Sequence, residues 1–242
     1  MHGANAALES DTPATGPLTA ELAVNGTAVV CDRIGVLWLP GSATLVVSDL
    51  HLEKGAAFAR RGMMLPPYDT AATLSRLGAA IASYAPRLVI SLGDSFHDRI
   101  GSAHLPECYR EQLQGLQRGR DWVWIEGNHD PDRPVGLEGS FCSELHVENL
   151  VFRHEPKAGA ADGEIAGHLH PVARVVRRGK GVRRPCFASD GKRLLMPAFG
   201  ATTGGLELRH PAMRGLFDRT RLVAHLIGRE RIYSVAYNRM NG

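Results

Sequence analysis

The sequence predicts an α/β fold that collects polar side chains at the carboxyl ends of its strands. Four short apolar runs, residues 43–47, 88–92, 122–125 and 164–166, each lead into acidic, amide or histidine side chains. Strands of this kind build binding sites at their tips. Between the first two runs, helical spacing of apolar residues from Leu74 to Tyr84 predicts a right-handed crossover between parallel strands.

Length and composition are typical of a globular protein with one α/β domain. The chain has 242 residues, of which 44% are hydrophobic and 22% are charged. Residues 1–18 are rich in Ala, Thr, Pro and Gly without periodicity, so we predict a disordered N-terminal arm followed by a single domain over residues 19–242. The net charge of +3 neither requires nor excludes a polyanionic partner.

Cysteine usage and hydropathy predict a cytoplasmic protein without a membrane partner. The four cysteines are scattered and form no C-x-x-C pair, which is typical of reduced thiols. No run of residues approaches the length of a membrane span, and the N-terminus lacks the basic region and apolar core of a secretory signal.

The first half of the chain predicts a hairpin, further strands and two helices. Asn25-Gly26 between residues 21–24 and 27–30 is typical of a type I′ turn, and residues 36–39 predict a third strand. Residues 52–61 form either a loop or a short helix. A helix begins at residues 66–69, with Asp69 in its first turn, and ends before Pro86. A second helix is predicted over residues 106–116.

The second half predicts mainly strands. Residues 145–152 alternate in polarity and lead to His154. Antiparallel strands are predicted over residues 172–208, around turns at residues 179–181 and 190–191. We expect a helix over residues 216–227 and a final edge strand over residues 232–235.

The polar side chains at the strand ends suit divalent metal ions. The ordered set is Asp49, His51, Asp94, Asn128, His129, Asp130, His154, His168 and His170. Carboxylates, imidazoles and an amide oxygen without a thiolate favour Mn²⁺, Fe²⁺ or Zn²⁺. A set of this size exceeds the needs of one ion, and a central carboxylate can bridge two ions roughly 3.5–4 Å apart, as in enzymes that act on phosphate esters. Gly93, Gly127 and Gly167 precede ligands, which indicates sharp turns with close backbone approach.

Among single histidines, His154 and His146 compete for one ligand position. His154 is favoured because it follows the apolar strand residues 150–152. Histidines outside the motifs are expected to be ordinary surface or core residues.

The ordered motifs D-x-H, G-D-x-x-D/H, G-N-H-D/E, a lone H and G-H-x-H resemble the calcineurin-like metallophosphoesterase superfamily. The resemblance spans residues 43–171, and all five motifs occur in order. It implies a four-layer α-β-β-α sandwich of two mixed sheets, with a dimetal site at the strand tips. The preferred ion would be Mn²⁺, with Fe²⁺, Zn²⁺ or Ni²⁺ as alternatives.

The resemblance also implies a role for each motif residue. Asp49, His51 and His170 would hold the first ion, while Asn128, His154 and His168 would hold the second, with Asp94 bridging. A metal-bridging hydroxide would be the nucleophile. His129 would lie beside the phosphate and protonate the leaving oxygen or neutralise charge, and Asp130 would orient the His129 ring.

Further runs resemble the bacterial ligase-associated DNA damage response endonuclease (PdeM-type) branch of the superfamily. These runs are residues 48–55, 67–70, 93–98 and 196–206. This resemblance implies DNA as the substrate in repair, and an ATP-dependent DNA ligase and a helicase as associated partners.

Basic residues provide candidate contacts to a nucleic-acid substrate. Eight Lys and Arg residues lie between residues 174 and 193, against the single acid Asp190, and such a stretch can follow phosphates. The alternative is a solvated hairpin whose charges protect a sheet edge. The candidate contacts are His97, Arg99, Arg177, Arg178, Arg183 and Arg184. His97 stands where much of the superfamily has Asp, and it contacts substrate, contacts His129 or serves a structural role.

Two other functions compete with a DNA phosphodiesterase. A phosphoesterase for cyclic nucleotides or other small phosphate esters would need a closed pocket in place of an open basic groove. A non-catalytic scaffold is disfavoured, because no ligand of the motifs is missing and His129 is present.

Overall fold

Two β-sheets pack face to face in the computed structural model, which describes residues 18–63, 68–159, 161–177 and 180–240. Residues 1–17 of the predicted arm, the proline pair 66–67 and Gly179 of the predicted turn lie outside the described residues. Within the described part of the chain, no helix has the length and apolar character needed to cross a bilayer.

The first sheet has seven strands in chain order. They are β1 (Thr19–Val24), β2 (Thr27–Asp32), β3 (Leu37–Leu39), β4 (Thr44–Val47), β5 (Leu88–Leu92), β6 (Asp121–Ile125) and β7 (Ser140–Cys142). Strands β1 to β4 are antiparallel, and β4 to β7 are parallel. The predicted hairpin is confirmed, because Val24 pairs with Thr27 across a turn in which Asn25 and Gly26 both have positive φ.

The second sheet has nine strands and is also mixed. They are β8 (Glu144–Val147), β9 (Leu150–Arg153), β10 (Glu164–Ala166), β11 (Pro171–Arg177), β12 (Lys180–Ser189), β13 (Arg193–Leu195), β14 (Leu206–Glu207), β15 (Val223–Ile227) and β16 (Ile232–Ala236). Strand β10 is parallel to both β9 and β13, whereas β12 is antiparallel to β11, β13 and β15. Strand β16 pairs with β15, as predicted for an edge strand.

The main core fills the space between the two sheets. Val46, Ile90 and Ile125 of the first sheet pack with Phe152 and Phe187 of the second, and all five are buried. Burying large apolar side chains contributes roughly 1.5–3 kcal/mol each, so this layer holds the two sheets packed against each other. The carboxyl ends of β4, β5, β6, β9 and β10 are thereby brought to one place.

Helices cover the outer face of the first sheet. They are α1 (Lys54–Arg60), α2 (Asp69–Tyr84) and α3 (Glu107–Gln117). Leu74 and Leu77 of α2 and Leu113 of α3 pack against Leu45 and Trp124 of the sheet. The predicted helical stripe is therefore the face that packs on the sheet, and α1 resolves the choice between loop and short helix.

The outer face of the second sheet is covered by loops and short 3₁₀ helices in the described residues, where the sandwich was expected to carry α-helices. The 3₁₀ helices are Pro211–Met213 and Tyr237–Arg239. Buried Leu208, Met213 and Met240 pack on this face against Ala188 and Ala224. The two mixed sheets and the α/β class are as predicted.

Two local predictions were wrong. The helix expected over residues 216–227 is absent, because residues 223–227 form β15, whose Leu226 pairs with Cys186 of β12. The single strand expected over residues 145–152 is a hairpin, in which Glu148 turns the chain with positive φ between β8 and β9. At β15, long-range pairing outweighed the local pattern.

Candidate metal centre

All seven predicted metal ligands lie together where five strand ends meet. Asp49 and His51 follow β4, Asp94 follows β5, Asn128 follows β6, His154 follows β9, and His168 and His170 follow β10. Their side chains form two adjacent groups, each able to hold a metal ion: Asp49, His51 and His170 in the first, and Asp94, His154 and His168 in the second.

The first group is ordered by backbone atoms and by a neighbouring hydroxyl. Nδ1 of His170 lies 3.2 Å from the carbonyl oxygen of Gly204. Because a carbonyl can only accept, Nδ1 carries the proton and Nε2 is left with a lone pair or a second proton. Nε2 faces Oδ1 of Asp49 at 3.0 Å. The other Asp49 oxygen, Oδ2, accepts a hydrogen bond from the Ser48 hydroxyl, so that Oδ1 is the oxygen that faces the imidazole.

The second group repeats this arrangement. Nδ1 of His154 lies 3.0 Å from the carbonyl oxygen of Leu92, so its Nε2 faces the site. That Nε2 is 2.9 Å from Oδ1 of Asn128 and 3.3 Å from Oδ2 of Asp94. Nδ1 of His168 lies 3.2 Å from the same Nε2. Two oxygens and a second imidazole therefore converge on one ring nitrogen.

These contacts fit metal binding. Metal-ligating histidines usually donate the other ring N–H to a carbonyl or carboxylate, as His154 and His170 do. Among the described residues, buried Nδ1 of His51 has no hydrogen-bond partner. Convergent oxygens and imidazole lone pairs repel one another unless a metal ion or a proton lies between them, and the set contains the hard and borderline donors that Mn²⁺, Fe²⁺ and Zn²⁺ accept. The chemistry of the donors thus agrees with two divalent ions.

The pKa values show the same convergence of charge. Burial opposes ionisation of both partners in the second group, but their mutual hydrogen bond and charges raise the pKa of His154 to about 9 and lower that of Asp94 to about 2. In the first group, burial lowers the pKa of His51 to about 4, against the opposing charges of Asp49 and Asp94. His51 is thus neutral at pH 7, which is the form that binds a metal.

The backbone is strained at the candidate ligands. Left-handed φ angles occur at Asp49, His51, Asp94, His168 and His170. Such conformations are uncommon for residues with a Cβ and cluster at functional sites. The predicted close approach of the backbone is confirmed at Gly127, where a Cβ would collide with the backbone nitrogen of Asp94 and the carboxylate of Asp130. Strained turns, and glycines without a side chain, thus allow the strand ends to approach closely.

His129 lies beside the two groups with one nitrogen turned to the site. Its backbone N–H donates to Oδ1 of Asp94 at 2.9 Å, and its Nδ1 lies 2.9 Å from the carbonyl oxygen of His97. The carbonyl fixes the proton on Nδ1, so Nε2, 4.0 Å from Oδ2 of Asp94, is the atom that can gain or lose a proton. The His97 ring stacks on the His129 ring with centroids 5.4 Å apart.

The prediction that Asp130 orients the ring of His129 was wrong. Oδ2 of Asp130 accepts a hydrogen bond from the backbone N–H of Phe96 at 3.0 Å, while the carbonyl of His97 holds the His129 ring. Burial, together with the nearby Asp94 charge, raises the pKa of Asp130 to about 7. Asp130 therefore anchors the loop after β5, which carries both Phe96 and His97.

The choice of His154 over His146 is supported by position. His146 lies on β8 with an exposed side chain, 3.0 Å from Glu144. His154 is buried between Asp94 and Asn128. The apolar strand before His154 was thus the informative signal.

The predicted arginine contacts to substrate lie in different surroundings. Nε of Arg99 lies 3.5 Å from the carboxylate of Asp132, and both side chains are well exposed. Arg183 donates to the carbonyl oxygen of Gly205 at 2.6 Å, next to the Gly204 carbonyl that holds His170. Arg184, the next residue on β12, faces the other side of the hairpin.

The basic stretch is only partly a surface feature. Arg178 lies outside the described residues, and Arg177 ends β11 at the hairpin. Arg193, counted with the stretch in the sequence, is buried and paired with Glu164, which also accepts from Arg153 at 2.8 Å. Burial of Arg193 removes it from any nucleic-acid surface.

Sequence reasoning missed the backbone groups that order the imidazoles. They are the carbonyl oxygens of Leu92, His97 and Gly204. Backbone carbonyls carry no sequence signal, although Gly204 lies in residues 196–206, one of the runs that carried the resemblance to the endonuclease branch.

Comparison with known proteins agrees with this geometry. The profile described as calcineurin-like phosphoesterase matches residues 43–185, more than half of the chain. The chain belongs to the calcineurin-like phosphoesterase family. As a member of this family, it is a hydrolase that acts on phosphoester bonds, and the two His/Asp groups are its candidate dinuclear site.

Among solved structures, the calcineurin-like chain is similar to the Pseudomonas putida nuclease MPE. The two share 28% sequence identity with a TM-score of 0.70, over 90% of this chain and 100% of the nuclease. The E. coli phosphoesterase YfcE is more distant, at 15% identity and a TM-score of 0.40 over 81% of this chain and 99% of YfcE. No curated protein sequence matches the chain.

Proposed function

We propose that this calcineurin-like phosphoesterase is a dimetal-dependent phosphodiesterase that cleaves DNA in repair. The observation that carries the proposal is the pair of adjacent ligand groups, with Asp94 of the second group also within 4.0 Å of His51 of the first. An arrangement that holds two ions side by side suits in-line displacement at a phosphate ester. The similar Pseudomonas putida protein is named a nuclease, which supports DNA or RNA as the substrate.

The metal assignment follows the two groups. Asp49, His51 and His170 would hold one ion, Asn128, His154 and His168 the other, and Asp94 would serve both. We propose Mn²⁺ as the preferred ion, because the donors are carboxylate, amide oxygen and imidazole without thiolate. Bound divalent ions would polarise the phosphate and lower the pKa of a bound water molecule.

His129 would act on the leaving group. Its Nδ1–H is held by the carbonyl of His97, so a proton at Nε2 is the only one that the ring can transfer. The side chain is 42% exposed on the open side of the centre, where a substrate phosphate can approach. When the ring is protonated, Nε2 can donate to the leaving oxygen or stabilise the negative charge that develops there.

The biological setting rests on the resemblance to the repair-associated branch. We propose an association with an ATP-dependent DNA ligase and a helicase, and a cytoplasmic location. The four cysteines, Cys31, Cys108, Cys142 and Cys186, are free, which fits a reducing compartment.

A substrate panel tests this function. The protein loaded with Mn²⁺ is incubated with plasmid DNA, single-stranded DNA, cyclic nucleotides and bis(p-nitrophenyl) phosphate, beside the Asp94→Asn variant. We expect cleavage of DNA and of the small diester by the natural protein and none by the variant. Hydrolysis confined to cyclic nucleotides would refute a nuclease and favour the small-substrate alternative.

A further inference from the structure

Two flanks of the candidate metal centre carry opposite charge. Lys54 and Arg61, at the two ends of α1, form what we call the cationic flank. Glu126 and Glu155, beside the second ligand group, form the acidic flank. The substrate proposed above is a polyanion, so this difference bears on how a strand lies across the site.

The cationic flank lies beside His97 and the first ligand group. Nζ of Lys54 donates to the carbonyl oxygen of Thr202 at 2.8 Å. Thr202 lies two residues before Gly204, whose carbonyl oxygen holds the ring of His170. The Phe58 ring of α1 lies 5.3 Å from the His97 ring and 6.0 Å from Nζ of Lys54, and the backbone N–H of Arg61 donates to the carbonyl oxygen of Phe58 at 2.9 Å. The His97 ring lies 5.7 Å from the His51 ring.

The charges of this flank are only partly offset: burial lowers the pKa of Lys54, and the charge of nearby Asp69 opposes that shift. Within the described residues, no acidic side chain lies within ion-pair distance of Lys54 or Arg61. The neighbouring Arg60, by contrast, is bound to Asp98 at 2.7 Å. Lys54 and Arg61 therefore keep their charge available for a ligand anion.

The acidic flank lines a cleft of about 390 Å³ beside Asn128 and His154. Glu126 and Glu155 are exposed there, and no cation of the described residues lies within ion-pair distance of either. Glu144, which lines the same cleft, is instead neutralised by Arg153 at 2.5 Å and by Lys157 at 3.4 Å. The unpaired negative charge of the cleft thus belongs to Glu126 and Glu155.

Resting on the proposed nuclease function, we propose that a bound strand places its neighbouring phosphates along Lys54 and Arg61, and that Glu126 and Glu155 exclude phosphates from the opposite cleft. Phosphates gain attraction on the first side and meet repulsion on the second. The nucleotide next to the second ligand group is therefore held through its neutral sugar and base. Specificity for strand polarity follows from this difference.

Modified oligonucleotides test the proposal. Each contains one cleavable phosphodiester and one further charged but non-cleavable phosphonate linkage, on either the 5′ or the 3′ side. All other linkages are neutral methylphosphonates. We expect the second charge to raise kcat/KM on one side and to lower it on the other.

Charge variants assign each effect to a flank. Lys54→Gln and Arg61→Gln should reduce the rise in kcat/KM that the second charge produces. Each should also lower the salt-dependence slope of binding to a fully charged single strand by roughly 0.7, which corresponds to about a threefold smaller change in affinity between 50 and 200 mM salt. Glu126→Gln and Glu155→Gln should relieve the penalty. The matched controls are Arg118→Gln, after α3 and at the far end of β6 from Asn128, and Glu111→Gln on the exposed face of α3.

Two outcomes separate this proposal from the proposed function. If the natural protein cleaves DNA but responds equally to a charge on either side, or if the flank variants match their controls, the flanks have no such role. If it hydrolyses the small diester but no oligonucleotide of any kind, the nuclease function itself fails, and the flank proposal fails with it.

Discussion

Replacing His129 by alanine should slow hydrolysis while leaving both ligand groups in place. The side chain of His129 is not a member of either group, and its hydrogen bond to Asp94 comes from the backbone N–H, which the substitution leaves in place, so metal content should be retained. A general acid contributes 10²–10⁴-fold to turnover as an order of magnitude. Since the ring is 42% exposed, water can partly replace it, and we expect a loss of roughly 10²–10³-fold.

The leaving group provides the decisive assay. Turnover of a DNA strand, whose leaving alkoxide is poor, is compared with that of bis(p-nitrophenyl) phosphate, whose leaving phenolate needs little protonation. The loss for the small diester should remain within about tenfold, because the acid is then hardly needed. His146→Ala, at an exposed histidine of β8, is the control and should change neither rate. Equal losses on both substrates would refute the general-acid role and favour electrostatic stabilisation.

Four further predictions follow from buried contacts and surface charge. Asp94→Asn should abolish activity with the fold intact, and metal analysis should find two ions in the natural protein; one ion at saturation with full activity would contradict this. Gly127→Ala should weaken binding of one ion, measured by calorimetry, because a Cβ collides with Asp94; unchanged binding of both would refute the close approach. Glu164→Gln leaves the cations of a buried network without their shared carboxylate, so it should cost about 3–5 kcal/mol and lower Tm by roughly 6–20 °C; an unchanged Tm would show that the network is not stabilising. Arg183→Gln should lower the salt slope of DNA binding more than Arg184→Gln, because Arg183 faces the segment that holds His170; equal slopes would indicate a merely solvated hairpin.

The sequence by itself predicted the side chains that meet at the strand ends and the class of the fold. Asp49, Asp94 and His154 each follow an apolar run, and a strand that ends in a ligand delivers that ligand to the sheet edge whatever surrounds it. The hairpin at Asn25-Gly26 was predictable for the same reason, because those two residues alone favour its turn. Such features are readable because cause and effect lie within a few residues of one another.

The tertiary structure alone decided which groups hold these side chains and which charges remain exposed. The ring of His129 is held by the carbonyl of His97, not by its neighbour Asp130. The position of a backbone carbonyl cannot be predicted from residue types alone. Arg193 looked like part of a basic surface, yet it is buried against Glu164. The strand over residues 223–227 displaced an expected helix because its partner, β12, lies about 40 residues earlier. Pairing and burial depend on distant residues, and no local pattern records them.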